Sequence, residues 1–239
     1  VSPLQEKQLT TLGNNIAALE VNGTFDDCQR LVKQAFADST LQAKIRLASA
    51  NSINLARLIP QSFYYFWAVA QAWQVSRSRP LAVSVPSGNF GNLTAGLIAQ
   101  KMGLPISKFI AATNANNVVP RYLSEGIYQP QPSVQTISNA MDVGNPSNFA
   151  RMQALFENSA SRMQQQLSGF SFSDEVTKEA MRHLKANHNY IADPHGAVGF
   201  LALQQYINQH PETSGIFLET AHPAKFLEVV EHTLMQPIA

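Results

Sequence analysis

The stretch best equipped for chemistry is Ser87-Gly88-Asn89-Phe90-Gly91-Asn92. Two glycines allow close backbone approach, and the small polar side chains between them can donate to an oxygen anion. If a helix begins here, its unpaired N–H groups and its dipole converge on the same point. A phosphate is the expected guest, although a strand-to-helix turn of this composition can also be a plain tight connection. The loop lacks the Lys-Ser/Thr ending that holds magnesium nucleotides, and it lacks the third glycine and downstream acid of a dinucleotide site. What remains is a phosphate on a small organic cofactor.

A second polar group precedes it. Asn51, Asn54, Arg57 and Gln61 fall within roughly 120° of a helix circumference at about 100° per residue. Such a stripe faces either a polar cleft or solvent; asparagine is a poor helix former, so several on one face need a reason. Three further positions stand out: Asp142 in a loop-rich segment, His195 within Asp193-Pro194-His195-Gly196, and Thr220 ahead of a helix it could cap. Asp142 suits hydrogen bonding better than acid-base work, and His195 suits a supporting role. The single cysteine, Cys28, reads as a buried core thiol.

The elements that must position these groups alternate between strand and helix. Leu81, Val83 and Val85 mark a strand into Pro86, Leu93 to Met102 a helix stopped by Gly103, and Lys108 to Thr113 the next strand. That order makes a βαβ unit with parallel strands, and ligands in such sheets bind at the strands' carboxyl ends. Upstream, Ile16 to Val21 reads as a strand followed by a helix capped by Thr24 or Asp26. Ala48 to Trp73 is a long helical pattern that Pro60 bends or starts. Downstream, Tyr122 to Asn148 is a loop-rich insert. Met152 to Phe170, Ser173 to His188 and Ala197 to Gln209 read as helices, and Ile216 to Glu219 as the last strand.

PSGNFGNLTAGLIAQKMGLP closely resembles the phosphate-holding loop and helix of threonine synthases, a family of fold-type II enzymes dependent on pyridoxal 5'-phosphate (PLP). Asn51-Ser52-Ile53-Asn54 with Arg57, the segment ISNAMDVGNPSNFAR, and Thr220-Ala221-His222-Pro223-Ala224-Lys225-Phe226 resemble three more of that family's segments. The resemblance implies an α/β fold of the tryptophan synthase β type, an open, mostly parallel sheet flanked by helices and here incomplete. Residues 1–48 would be a remnant of a smaller N-terminal part and 49–239 the larger coenzyme-binding domain. By the same resemblance Ser87, Gly88, Asn89, Phe90, Gly91 and Asn92 hold the PLP phosphate, and Thr220 meets the pyridine nitrogen. Asn51 and Arg57, with Ser52 and Asn54 nearby, hold the phosphate of O-phospho-L-homoserine. The implied reaction takes that substrate and water to L-threonine and phosphate.

The family also needs a lysine that binds the coenzyme's aldehyde, in a Phe-Lys-Asp segment. None of Lys7, Lys33, Lys44, Lys101, Lys108, Lys178, Lys185 and Lys225 has that context, so no catalytic residue is assigned. The chain reads as a C-terminal portion whose partner is the N-terminal part of the same enzyme, inactive alone. Two other readings stay open: another fold-type II enzyme, such as a phospho-lyase or a serine/threonine dehydratase relative, or a non-catalytic module for a phosphate-bearing ligand.

Composition narrows the classes further. With a net charge of +1 and 14% charged residues across 239, there is no electrostatic case for nucleic acid or a membrane surface. No apolar run approaches the roughly 18 residues of a membrane span. One cysteine rules out an internal disulfide framework and suits a reducing cytoplasm. No metal is implied.

Overall fold

The computed structural model describes residues 3–51, 54–75 and 77–238. Its centre is a four-stranded parallel sheet of β1 (Leu81–Pro86), β2 (Lys108–Thr113), β3 (Leu167–Ser171) and β4 (Ser214–Phe217), in the order β3-β2-β1-β4. Helix α5 (Gly91–Lys101) crosses from β1 to β2, and α6 (Val118–Glu125), α7 (Phe149–Leu155) and α8 (Ala160–Gln166) lie on the way to β3. Helices α9 (Asp174–His188) and α10 (Pro194–Gln209) then carry the chain back past β1 to β4, and α11 (Leu227–Leu234) follows.

The pleat divides the core in two. Val83 and Val85 point with Phe109 and Ala111 toward α4 (Leu58–Val75) and α5, while Ala82, Ile110 and Ala112 pack on Val198, Ala202 and Tyr206 of α10. All six residues of β1 are buried, as expected of a parallel strand covered on both faces. Because β2 lies on one side of β1 and β4 on the other, the connections leaving β1 and β4 diverge. The crevice of this fold therefore opens at the carboxyl ends of those two strands.

Three sequence expectations change. Ile16 to Val21 forms no strand: it is exposed, and among the described residues no strand pairs with it. The helical reading from Met152 to Phe170 breaks into most of α7, all of α8 and the first four residues of β3. The long pattern from Ala48 resolves into a short 3-10 turn, Leu55–Arg57, and then α4, with Pro60 in its first turn where no N–H is needed. Cys28 is only partly buried, on a helix (α2, Phe25–Ala37) whose apolar residues Leu31 and Val32 face solvent.

Candidate active site

The register of the sheet sets the site. Ser84 of β1 is opposite Phe217 of β4, so Ser87 and Thr220, each three residues on and just past the end of its strand, leave the sheet at the same end. Both line one cleft of about 1190 Å³, together with Gly88, Asn89, Phe90, Gly91, Asn92, Asn51 and Arg57. The polar stripe upstream thus faces this cleft in part. Asn54 does not line it; its side chain accepts from Ala56 N–H at 3.0 Å and caps the 3-10 turn ahead of α4. Ser52 lies outside the described residues.

Within the loop, the side chains mostly hold the loop itself. Ser87 Oγ donates to Asn92 Oδ1 at 2.6 Å, and Asn92 Nδ2 donates to the Pro86 carbonyl at 2.9 Å. Asn89 Oδ1 accepts from the N–H and hydroxyl of Ser147 at 2.5 and 2.9 Å. The anion-binding capacity therefore falls on the backbone. Phe90, 2% exposed, sits at the N-cap of α5 with φ 58°, a left-handed conformation that non-glycine residues adopt only when their surroundings force it. That turn opens the helix, whose first N–H groups have no backbone acceptor within it; Leu93 N–H is taken by Asn92 Oδ1 at 2.9 Å, which leaves those of Gly91 and Asn92 for an anion. Gly88 is needed for a different reason: a Cβ there would come 2.7 Å from Met141 Cα.

Met141 belongs to the loop-rich insert, which is pinned by Asp142. Its Oδ1 accepts from Thr136 Oγ1, Asn114 Nδ2 and Asn116 Nδ2 at 2.7, 2.9 and 3.1 Å, and its Oδ2 from Thr136 N–H at 3.0 Å. Burial raises the Asp142 carboxyl above its ordinary value, against the pull of those donors. The asparagines after β2 are thus drawn into the network that sets Ala140 and Met141 against the cleft. Asp142 could be flagged in the sequence, but not its donors, two of which lie 26 and 28 residues away and the third in its own loop.

On the opposite wall, the turn after β4 is capped by His222, whose Nδ1 accepts from Ala224 N–H at 3.2 Å. The alternative role for Thr220 as that cap is therefore overturned. His195 and Glu219 also line the cleft; Glu219 drew no notice in the sequence. His195 Nδ1 is 2.5 Å from Asp193 Oδ1, and both residues are buried. Lys225 lines the cleft too, and among the described residues neither it nor Arg57 takes part in an ion pair. A cleft with a backbone anion cradle, two uncompensated cations and a hydroxyl at the same end of the sheet suits a phosphorylated aromatic coenzyme and an anionic substrate. Among the described residues no helix is long and apolar enough to cross a membrane, and no group of side chains could hold a metal ion.

The chain is similar over its whole length to threonine synthases. Over 238 residues the chain is 51% identical to the threonine synthase of Serratia marcescens, all of this chain against 54% of that protein. The crystal structure of threonine synthase from Escherichia coli superposes with a TM-score of 0.93 at 50% identity, covering 100% of this chain and 54% of that one. A PLP-bound threonine synthase from Brucella melitensis gives 0.82 at 34% identity, covering 98% and 55%. The chain thus spans about half the length of these relatives. Residues 1–217 match the family described as pyridoxal-phosphate dependent enzymes. The sheet, the cradle at the start of α5 and that match agree, and the chain belongs to the pyridoxal-phosphate dependent enzyme family.

Proposed function

We propose that this chain forms the coenzyme-phosphate and substrate-phosphate half of a threonine synthase, which converts O-phospho-L-homoserine and water to L-threonine and phosphate. The observation that carries the reading is the single cleft shared by Ser87 to Asn92, Thr220, Asn51 and Arg57. PLP, when bound, supplies an electron-withdrawing ring for chemistry at the substrate's carbon atoms. The residues of this chain bind and orient. The N–H groups at the start of α5 hold the coenzyme phosphate, and the Thr220 hydroxyl meets the ring nitrogen. A neutral partner there leaves the nitrogen largely unprotonated and moderates the pull of the ring. Arg57, through its planar fork of donors, and Asn51 hold the substrate phosphate.

On this reading residues 49–239 are the coenzyme-binding domain, residues 1–48 belong to a smaller N-terminal part, and the work is done in the cytoplasm, which suits the lone thiol of Cys28. Among the described residues Lys225 is the only lysine lining the cleft, and we assign it to binding, not to the coenzyme's aldehyde. The 239-residue chain then binds PLP and releases no phosphate from O-phospho-L-homoserine. Saturable PLP binding by fluorescence titration, with no lysine trapped by borohydride reduction, supports the reading. Threonine formation by the purified chain, or PLP trapped on Lys225, overturns it.

A further inference from the structure

One corner of the cleft holds an acidic group that phosphate binding does not call for, Glu219. Glu219 immediately precedes Thr220, and its carboxyl group is fixed on three sides. Tyr190 donates its hydroxyl to Glu219 Oε1 at 3.1 Å. The backbone of Gly196, in the first turn of α10, lies so close that a Cβ there would fall inside the carboxyl group. On the third side is Asp193, within hydrogen-bonding reach.

Asp193 is fully buried. Its Oδ1 accepts from the N–H and Nδ1 of His195 at 2.8 and 2.5 Å, whereas its Oδ2 finds no donor. A buried carboxylate oxygen without a donor is costly. Two ionised carboxylates cannot hydrogen-bond each other, so the contact between Glu219 and Asp193 is favourable only with a proton on Glu219, whose carboxyl is the one raised.

We propose that Asp193 and Glu219 share one proton, and that this proton holds Glu219, and with it Thr220, against the start of α10 in the geometry that receives the coenzyme ring. The ring contact rests on the function proposed above; the shared proton does not. Glu219 is a positioning residue here, acting through Thr220. Glu219 is still exposed on its cleft side, but partial loss of surrounding water, and then the Asp193 charge and the contact with it, push its carboxyl up to about 8, against the Tyr190 hydroxyl, which lowers it.

The sign follows. A carboxyl raised in the folded chain contributes stability that is complete below its unfolded value, near 4.5, and is lost as pH rises through about 8. Above that pH the proton leaves to solvent and the two carboxylates repel. Other titratable or charged groups face Glu219: Tyr190 and His195 at the start of α10, His188 from α9 across a groove that Glu219 also lines, and Lys225 and Arg57 around the cleft. They are common to the wild type and a Glu219→Gln variant, so the difference between the two isolates the shared proton.

The test compares the full 239-residue chain with E219Q and D193N. Without coenzyme, the wild type loses about 2–4 °C of Tm relative to E219Q between pH 6 and pH 9.5. With PLP as the probe, wild-type affinity falls on the order of tenfold from pH 7 to pH 9.5, and E219Q changes less than about twofold. D193N retains a capping side chain and removes the repelling charge, so it moves the wild-type transition to lower pH. Identical melting profiles for the wild type and E219Q overturn the shared proton. Different melting profiles with parallel PLP affinities overturn its link to Thr220. If PLP binds at no pH, the coenzyme reading of the cleft fails, and the shared proton is judged on melting alone.

Discussion

On the proposed function, Arg57 serves the substrate phosphate and Thr220 the coenzyme ring, and single substitutions at them should have separable effects. Arg57→Ala removes charge-assisted hydrogen bonds worth about 1.5–3 kcal/mol, so affinity for O-phospho-L-homoserine should fall about tenfold to a hundredfold. Affinity for PLP should stay within about twofold, since the coenzyme phosphate rests on backbone donors. Calorimetric titration of each ligand checks the split; equal losses for both would place Arg57 on the coenzyme. Thr220→Val keeps the shape and removes one neutral hydrogen bond of about 1 kcal/mol, so PLP affinity should drop severalfold. At this scale the sequence was readable where a residue type has few uses. An arginine beside asparagines, or a threonine closing a strand, invites a role in binding. It was not readable where residues distant in the chain act together. Asn89 is engaged by Ser147, and Glu219 gains meaning only beside Asp193.

The loop before α5 works as an element because other elements fix it. The left-handed turn at Phe90 is held by burial of its ring, and Tyr65 of α4 donates to the Asn92 carbonyl at 2.7 Å. Gly88→Ala should force apart the loop and Met141, with a stability loss of about 1–3 kcal/mol and with loss of PLP binding. Urea unfolding and fluorescence titration on one preparation test both effects. Asp142→Ala leaves the donors of Thr136, Asn114 and Asn116 short of an acceptor in a half-buried site, and should cost on the order of 2–4 kcal/mol. Denaturant midpoints measure it, and a loss within about 0.5 kcal/mol would make the network incidental. Two elements escaped sequence reading for opposite reasons. Leu167–Ser171 is five residues long and follows α8 without a glycine or proline break, so helical periodicity runs into it. Ile16–Val21 has the composition of a strand, but composition supplies no partner.

Across the molecule, α4 shows what the sheet leaves uncovered. Leu58, Ser62, Tyr65 and Val69 are buried, while Ile59, Phe63, Phe66 and Trp67 form an exposed apolar stripe, with Trp67 70% exposed. The relatives are nearly twice as long as this chain. A bare stripe of this size favours self-association, so the chain should sediment as concentration-dependent oligomers. Phe63→Lys with Trp67→Lys should shift it toward monomer in sedimentation velocity. What the sequence by itself determined was local and periodic: the strand-loop-helix around Ser87 to Asn92, the parallel βαβ unit, the apolar helices, and four segments resembling one family. These follow from residue spacing along a single stretch of chain. Only the tertiary structure decided that β4 lies beside β1, which brings Ser87 and Thr220 into one cleft and Glu219 within reach of Asp193. Those neighbours are far apart in the chain, and their approach depends on sheet order and on packing between α10 and the strands, which no local pattern encodes.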